Sequence, residues 1–223
     1  MQPIATIHTD FTTKFGIPRQ GRIVNEIEGL IVFNKGFRDP LEIEGIDQFS
    51  HLWLIWEFSE NKESGWKPLV RPPRLGGNKK MGVFATRSPF RPNPIGLTCV
   101  QLQGVEYNKE LGPLLHVTGP DMVDGTPIYD IKPYIPLYDS IPQATGGFTD
   151  TVERKYLEIE DTSDYLEILE PHKKRALSLI LREDPRPSYQ HDEKRIYGMQ
   201  FAGYEVKFHV IGSRLVIDSI EKQ

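Results

Sequence analysis

The 223-residue chain contains a single cysteine, Cys99. One thiol excludes an intramolecular disulfide and a multi-thiolate metal centre, and it suits the reducing cytoplasm. Histidines stand at 8, 51, 116, 172, 191 and 209 without the short spacings of a zinc site, so no metal is expected. Nowhere do 18 apolar residues run together, which excludes a membrane-spanning helix. The first ten residues lack a basic flank followed by an apolar stretch, so no secretory leader is expected. A glycine-rich phosphate loop ending in Lys-Ser/Thr, a Gly-x-Gly-x-x-Gly turn and a Gly-x-Ser-x-Gly elbow are all missing. Nucleotide hydrolase, Rossmann dehydrogenase and α/β-hydrolase readings therefore lose ground.

Acidic residues are missing from one long stretch. Residues 67–94 hold Lys67, Arg71, Arg74, Lys79, Lys80, Arg87 and Arg91 and no carboxylate, in a chain of formal net charge −4. The overall charge argues against coating nucleic acid by bulk electrostatics. The basic stretch points instead to a local anion site, for a phosphate backbone, a carboxylate ligand or an acidic partner. A solvated basic loop is the plain alternative.

What is present is turn chemistry and short alternating runs. With 19 glycines and 18 prolines, the composition favours short strands over long helices, and 38% hydrophobic residues suffice for a core. Strands are expected at residues 3–9, 29–33, 51–58, 81–86 and 97–102. Within HLWLIWEF (51–58), Trp53, Leu54, Ile55 and Trp56 read as core. This all-β pattern is expected to close into a barrel, which removes its edges. Composition shifts near residues 141–149. The chain thus reads as a mainly β protein, with an N-terminal closed β-barrel domain at 1–142 and a smaller C-terminal α+β domain at 143–223. In the second, Pro171 opens a helix whose stripe Ala176, Leu177, Ile180 and Leu181 is core, and Asp184-Pro185-Arg186-Pro187 ends it. Residues 204–220, turning at Gly212-Ser213, predict a terminal β-hairpin.

Two segments carry candidate chemistry. In residues 81–98, Arg87 and Arg91 flank a proline-stiffened bend, so their guanidinium forks have little entropy left to lose on binding. In residues 124–134 (DGTPIYDIKPY), two carboxylates, a lysine and two tyrosines surround tight turns. Ordinary turns capping a barrel are the plain alternative for both.

These segments sit among other specific pieces: Pro18-Arg19-Gln20, FSHL (49–52), VRPPRLGG (70–77), ATRSPFRPNPIG (85–96), VDGTPIYDIKPY (123–134) and DPRPSY (184–189). Together they resemble the TsaA-like, or TrmO, family of S-adenosylmethionine-dependent tRNA methyltransferases, over nearly the whole chain. Residues 145–183 match only in general character. The resemblance implies a β-barrel methyltransferase acting as a homodimer. It implies N6-methylation of N6-threonylcarbamoyladenosine at position 37, in the anticodon loop of tRNA. It also implies that Pro18, Arg19, Gln20, His51, Leu52, Arg87, Leu97, Asp124, Gly125, Thr126 and Pro127 hold the S-adenosyl-L-methionine. An arginine (Arg19 or Arg87) suits its carboxylate, Asp124 its ammonium or ribose hydroxyls, and the bare Gly125 backbone its adenine edge.

The acceptor nitrogen so implied bears a carbamoyl group, which delocalises its lone pair and acidifies its proton. A general base is expected, with Asp130 and Tyr134 the candidates and His51 behind them. Turn stabilisation or pairing with a lysine is the alternative for Asp130. The basic run would meet phosphates, Phe90 or Trp66 would stack on a splayed base, and Arg186, Tyr189 and Lys194 would add contacts. Two other readings compete: a non-catalytic RNA-binding or ligand-sensing barrel, and a methyltransferase acting on another substrate.

Overall fold

The computed structural model describes residues 1–75, 79–187, 190 and 192–223, leaving aside the side chains of residues 62–64 and 74. Gly76, Gly77, Ser188 and Tyr189 of the sequence motifs, with the Arg74 side chain, therefore lie outside the described residues.

Eight strands fill the first part of the chain: β1 (Ala5–Thr9), β2 (Glu28–Phe33), β3 (His51–Glu57), β4 (Leu69–Val70), β5 (Met81–Gly82), β6 (Ile95–Asn108), β7 (Gly112–Thr118) and β8 (Thr126–Pro133). Six of them close into a barrel in the order β1-β2-β7-β6-β3-β8, while β4 and β5 form a separate two-stranded hairpin. All barrel pairings are antiparallel, and Ala5 opposite Ile128 with Ile7 opposite Thr126 closes the ring. Side-chain alternation decides what fills it. Ala5, Ile7, Ile31, Phe33, Leu52, Leu54, Trp56, Val100, Leu115, Val117 and Ile128 point inward and are buried.

The same alternation corrects the reading of β3. Its burial alternates strictly, so Leu54 and Trp56 are core while Trp53 and Ile55 are half-buried on the outer face. The strand expected at 81–86 is also shorter. It stops at Gly82, and Val83–Ala85 turn into a 3-10 helix that buries Val83.

The second part contains α1 (Pro136–Asp139), β9 (Glu158–Glu160), α2 (Pro171–Arg182), β10 (Tyr197–Phe201), β11 (Tyr204–Ile211) and β12 (Arg214–Lys222). Pro171 opens α2, the predicted stripe Ala176, Leu177, Ile180 and Leu181 is buried, and Asp184 turns left-handed just after its end. The strands form a sheet in the order β10-β11-β12-β9, with the terminal hairpin at its centre.

This second core is not built from the C-terminal part alone. Phe11, Val24 and Ile27, from the β1–β2 connection, are buried in it beside Leu177, Met199 and Phe208. Each such side chain contributes about 1.5–3 kcal/mol of apolar burial. Lys173 reinforces the join, bonding Asp10 at 2.5 Å and Glu28 at 2.9 Å. Residues 10–27 thus leave the barrel, lodge in the second core and return, carrying residues 18–22 past the barrel wall.

Candidate functional site

Residues 18–22 form a hub on which Pro18, Arg19, Gln20 and Arg87 converge. Pro18 is buried and fixes the start of the segment, while Arg19 donates to the Arg186 carbonyl at 3.2 Å. The Gln20 amide donates to the Arg19 carbonyl at 2.6 Å, and its oxygen accepts from Arg87 at 2.6 Å. Gly21 packs so tightly that a Cβ there would lie 2.4 Å from the Thr98 methyl. Arg22 stands in the left-handed region at φ 64°, its N–H donating to the Gly119 carbonyl at 2.9 Å. A non-glycine residue there carries backbone strain of a kind that gathers at functional sites.

Under the hub runs a polar chain. The Trp56 indole donates to Thr98 Oγ1 at 2.9 Å, and Thr98 Oγ1 donates to Asp121 Oδ1 at 2.7 Å. Asp121 also accepts from the Gly21 backbone N–H. Burial pushes its carboxyl above the ordinary aspartate range, against the pull of these bonds and of the Arg87 charge.

Arg87 and Arg91 have opposite fates. Arg91 turns back on its own bend, donating to the Thr86 and Ser88 carbonyls at 3.1 and 3.2 Å. It braces the loop and is not held out for a ligand as expected. Arg87 is exposed and tethered to Gln20, which leaves further donors of its fork directed to solvent.

The outer face of β8, β3 and β6 carries a second group. One row aligns Leu97, Ile55 and Asp130, and the next aligns Cys99, Trp53 and Lys132. Beyond them, His51 and Tyr134 pack ring to ring at 6.1 Å, with the Tyr134 N–H donating to the His51 carbonyl at 2.9 Å. Burial, and secondarily the Arg22 charge, lowers the His51 pKa, so its imidazole is neutral at pH 7. The Ser50 hydroxyl engages its Nδ1 at 2.9 Å. Asp130 pairs with Lys132 at 2.8 Å and accepts from the Ile131 N–H at 3.0 Å. Burial raises the Cys99 pKa, so this side chain is a thiol and not a nucleophilic thiolate. Leu97 is 53% exposed, whereas Leu52 is fully buried and can reach a ligand only through its main chain.

The Asp124–Pro127 turn forms a third group beside the end of β1. Asp124 accepts from the Thr9 N–H at 3.0 Å and contacts His8 Nδ1 at 3.1 Å. Its carboxylate faces β1, not Arg87. Gly125, at φ +79°, has nothing within 4 Å of the position a Cβ would take, so its backbone is open to close approach. Thr126 is buried, its hydroxyl donating to the Val123 carbonyl at 2.7 Å.

Within the chain, then, Arg19, Gln20 and Arg87 meet directly, and so do His51 and Tyr134. Arg22 links the two groups through its charge. Asp121, three residues before Asp124, ties the hub to the segment that leads into the third. Sequence reading missed both Arg22 and Asp121. The basic residue two positions after Pro-Arg-Gln, just beyond Gly21, was a signal for the first, but Asp121 precedes the matching motif and gave none.

Comparison with known proteins agrees along the whole chain. The tRNA-methyltransferase O N-terminal domain model matches residues 6–140, and the TrmO C-terminal domain model matches residues 148–223. The chain is 36% identical over 228 residues to the tRNA (adenine(37)-N6)-methyltransferase of Escherichia coli K12, covering 99% of this chain and 97% of that protein. To the protein of the same name from Eikenella corrodens it is 43% identical over 173 residues, covering 77% of this chain and 97% of that protein. A crystal structure of TrmO from Pseudomonas aeruginosa aligns with a TM-score of 0.76 at 28% identity, over 98% of this chain and 96% of that one.

Proposed function

The chain belongs to the TrmO family, and from that premise we propose that it is the S-adenosylmethionine-dependent methyltransferase acting on N6 of adenine 37 in tRNA. The base we assign is N6-threonylcarbamoyladenosine, presented by the anticodon loop, where a base can be splayed out and read. The working form is a cytoplasmic homodimer. Leu97, Leu137, Tyr138 and Ile141, each more than half exposed, offer apolar surface for a second copy.

The donor set fits the ligand. S-adenosylmethionine carries a carboxylate, an ammonium, a sulfonium and an adenine, and when bound it supplies an electrophilic methyl group. Arg87, exposed and steadied by Gln20, suits the carboxylate, with Arg19 beside it. Asp124 suits the ammonium or ribose hydroxyls, and the open backbone at Gly125, with Thr126 and Pro127, suits the adenine edge. Pro18, the Leu52 main chain, His51 and Leu97 complete the wall.

On the acceptor side, Asp130, Tyr134 and His51 share the outer face of β3 and β8 and are the candidates to take the N6 proton. His51, whose pKa is lowered, keeps a ring nitrogen able to accept a proton, with Ser50 at its Nδ1, while Asp130 is held by Lys132. Removing that proton restores nucleophilicity to a nitrogen weakened by its carbonyl neighbour, an effect worth about 10²–10⁴-fold. Orientation supplies the rest.

The observation that carries this reading is the tether between Arg87 and Gln20, two motif residues 67 positions apart that meet at 2.6 Å on a family-matched chain. The test is incubation of purified protein with methyl-labelled donor and tRNA from a strain lacking the endogenous enzyme, followed by mass spectrometry of position-37 nucleosides. Threonylcarbamoyladenosine is expected to gain the mass of the labelled methyl group less that of the hydrogen it replaces, as N–H becomes N–CH₃. Label appearing only in another nucleoside or in a small molecule overturns the substrate, and no saturable donor binding overturns the enzyme.

A further inference from the structure

We propose that Asp121 is a positioning residue for the methyl-donor site: it holds Gly21, and with it Gln20 and Arg87, in place through a one-way hydrogen-bond chain from Trp56 and Thr98. This rests on the donor reading above and names a residue outside it.

The direction of the chain follows from what each group can do. An indole N–H only donates, so Thr98 Oγ1 must accept from Trp56, and its single proton is then committed to Asp121 at 2.7 Å. The carboxylate accepts that proton and the Gly21 N–H. Sterics reinforce the seat on both sides. A Cβ at Gly21 would sit 2.4 Å from Thr98 Cγ2, and one at Gly96 would sit 2.2 Å from Trp56 Cε2. Two glycines therefore clear room for the Trp56–Thr98 pair and for the loop laid over it. From Gly21 the neighbouring Gln20 reaches Arg87 at 2.6 Å. The Asp121 charge also draws the guanidinium electrostatically.

Burial raises the Asp121 pKa above the unfolded value, so its stabilising contribution is fully present below the ordinary aspartate range. It is lost as pH rises through the raised value. Removing the charge while keeping the shape thus separates a positioning role from a structural one.

The experiment measures S-adenosylmethionine affinity by calorimetry, the thermal midpoint, and kcat with saturating donor and tRNA. It uses wild type, Asp121→Asn, Thr98→Val and the double variant. Asp121→Asn is expected to bind the donor at least about tenfold more weakly, since a charge-assisted bond is lost. Its thermal midpoint should be unchanged or raised, and its kcat at saturation should stay near wild type. Thr98→Val should weaken binding less, and the double variant should match Asp121→Asn within about twofold, because the two act in series. Donor affinity within about twofold of wild type in Asp121→Asn, or additive losses in the double variant, would overturn the proposal. So would a lowered midpoint accompanying the binding loss, which marks a structural residue. A wild-type protein that binds no donor removes the donor reading itself, whereas a wild type that binds alongside an unaffected Asp121→Asn removes only this role.

Discussion

Residues 10–27, between β1 and β2, and residues 58–94, between β3 and β6, both cross from one barrel strand to another with little regular structure, yet different forces hold them. The first crossing buries Phe11, Val24 and Ile27 in the second core and is pinned by Lys173. The second buries only Val70, Pro72 and Val83 among its described residues. Its order comes from prolines, from Arg91 gripping the Thr86 and Ser88 carbonyls, and from Lys67 over the Phe90 ring at 5.4 Å. Gln20 and Arg87 meet where the two crossings touch. The rigid side of the site is thus fixed by a core in the other half of the molecule, and the basic side by its own covalent stiffness.

The largest effect is expected from loosening the first crossing. Phe11 is fully buried, 5.4 Å from the Phe201 ring. Phe11→Ala should cost about 3–5 kcal/mol in denaturant unfolding and weaken donor binding as well, because residues 18–22 lose their anchor. Donor affinity that survives this loss intact would show that the crossing is not held by the second core.

Lys173 comes next. Its side chain is 20% exposed and Asp10's is 18%, so Lys173→Met strands a largely buried carboxylate, at a cost on the order of 3 kcal/mol. The pair also sets a pH signature. The Lys173 hydrogen bond, opposed by burial and aided by its charge, lowers the Glu28 pKa. Its contribution is therefore present above the ordinary glutamate range and lost as pH falls through the depressed value. Burial disfavours the Lys173 ammonium, but its bonds to Asp10 and Glu28 outweigh this and raise its pKa. That contribution is lost only as strongly alkaline pH passes the raised value. The variant should unfold with a flatter acid limb than wild type, measured by thermal midpoint against pH. An unchanged limb would assign acid sensitivity elsewhere.

A sharper contrast comes from the two arginines of the second crossing. Arg87→Ala should lower donor affinity about tenfold while leaving the thermal midpoint alone, because only its bond to Gln20 and the Asp121 field are lost. Arg91→Ala should do the reverse in part, destabilising by about 1–2 kcal/mol as two carbonyls lose a charged donor. Equal effects on binding from both variants would mean that the bend responds as one body.

How far the sequence could be read follows the same division. The barrel, α2 and the terminal hairpin were legible because period-two and helical stripes mark them directly. Two barrel features were not. β7 buries Pro113, Leu114 and Leu115 in succession, and the register of β6 slips between Leu102 and Gly104, so alternation fails in both. Trp53 and Ile55 were misread as core because an apolar run does not say which face of a strand is covered. Phe11, Val24 and Ile27 are scattered among turn residues and show no period, so their place in a distant core was invisible. Among the candidate residues, Arg87 and Gln20 came from motif resemblance, whereas Asp121 required the fold. Its partners Trp56, Thr98 and Gly21 lie 65, 23 and 100 positions away in sequence, and only barrel closure brings them together.

The smallest predicted effect concerns substrate and leaves both crossings folded. Lys79 and Lys80 are exposed in the middle of the basic stretch, between β4 and β5 and close in sequence to Phe84, which is 77% exposed. Neither supports packing, so Lys79→Ala and Lys80→Ala should leave the thermal midpoint and donor affinity unchanged. A lysine that neutralises a phosphate of single-stranded RNA adds about 0.7 to the slope of log affinity against log salt. Each substitution should therefore flatten that slope by about this amount and weaken tRNA binding mainly at low ionic strength. Filter binding across a salt series reads both quantities. A loss that does not depend on salt would place these lysines in contacts to bases, and an unchanged slope would move the RNA path off this crossing altogether.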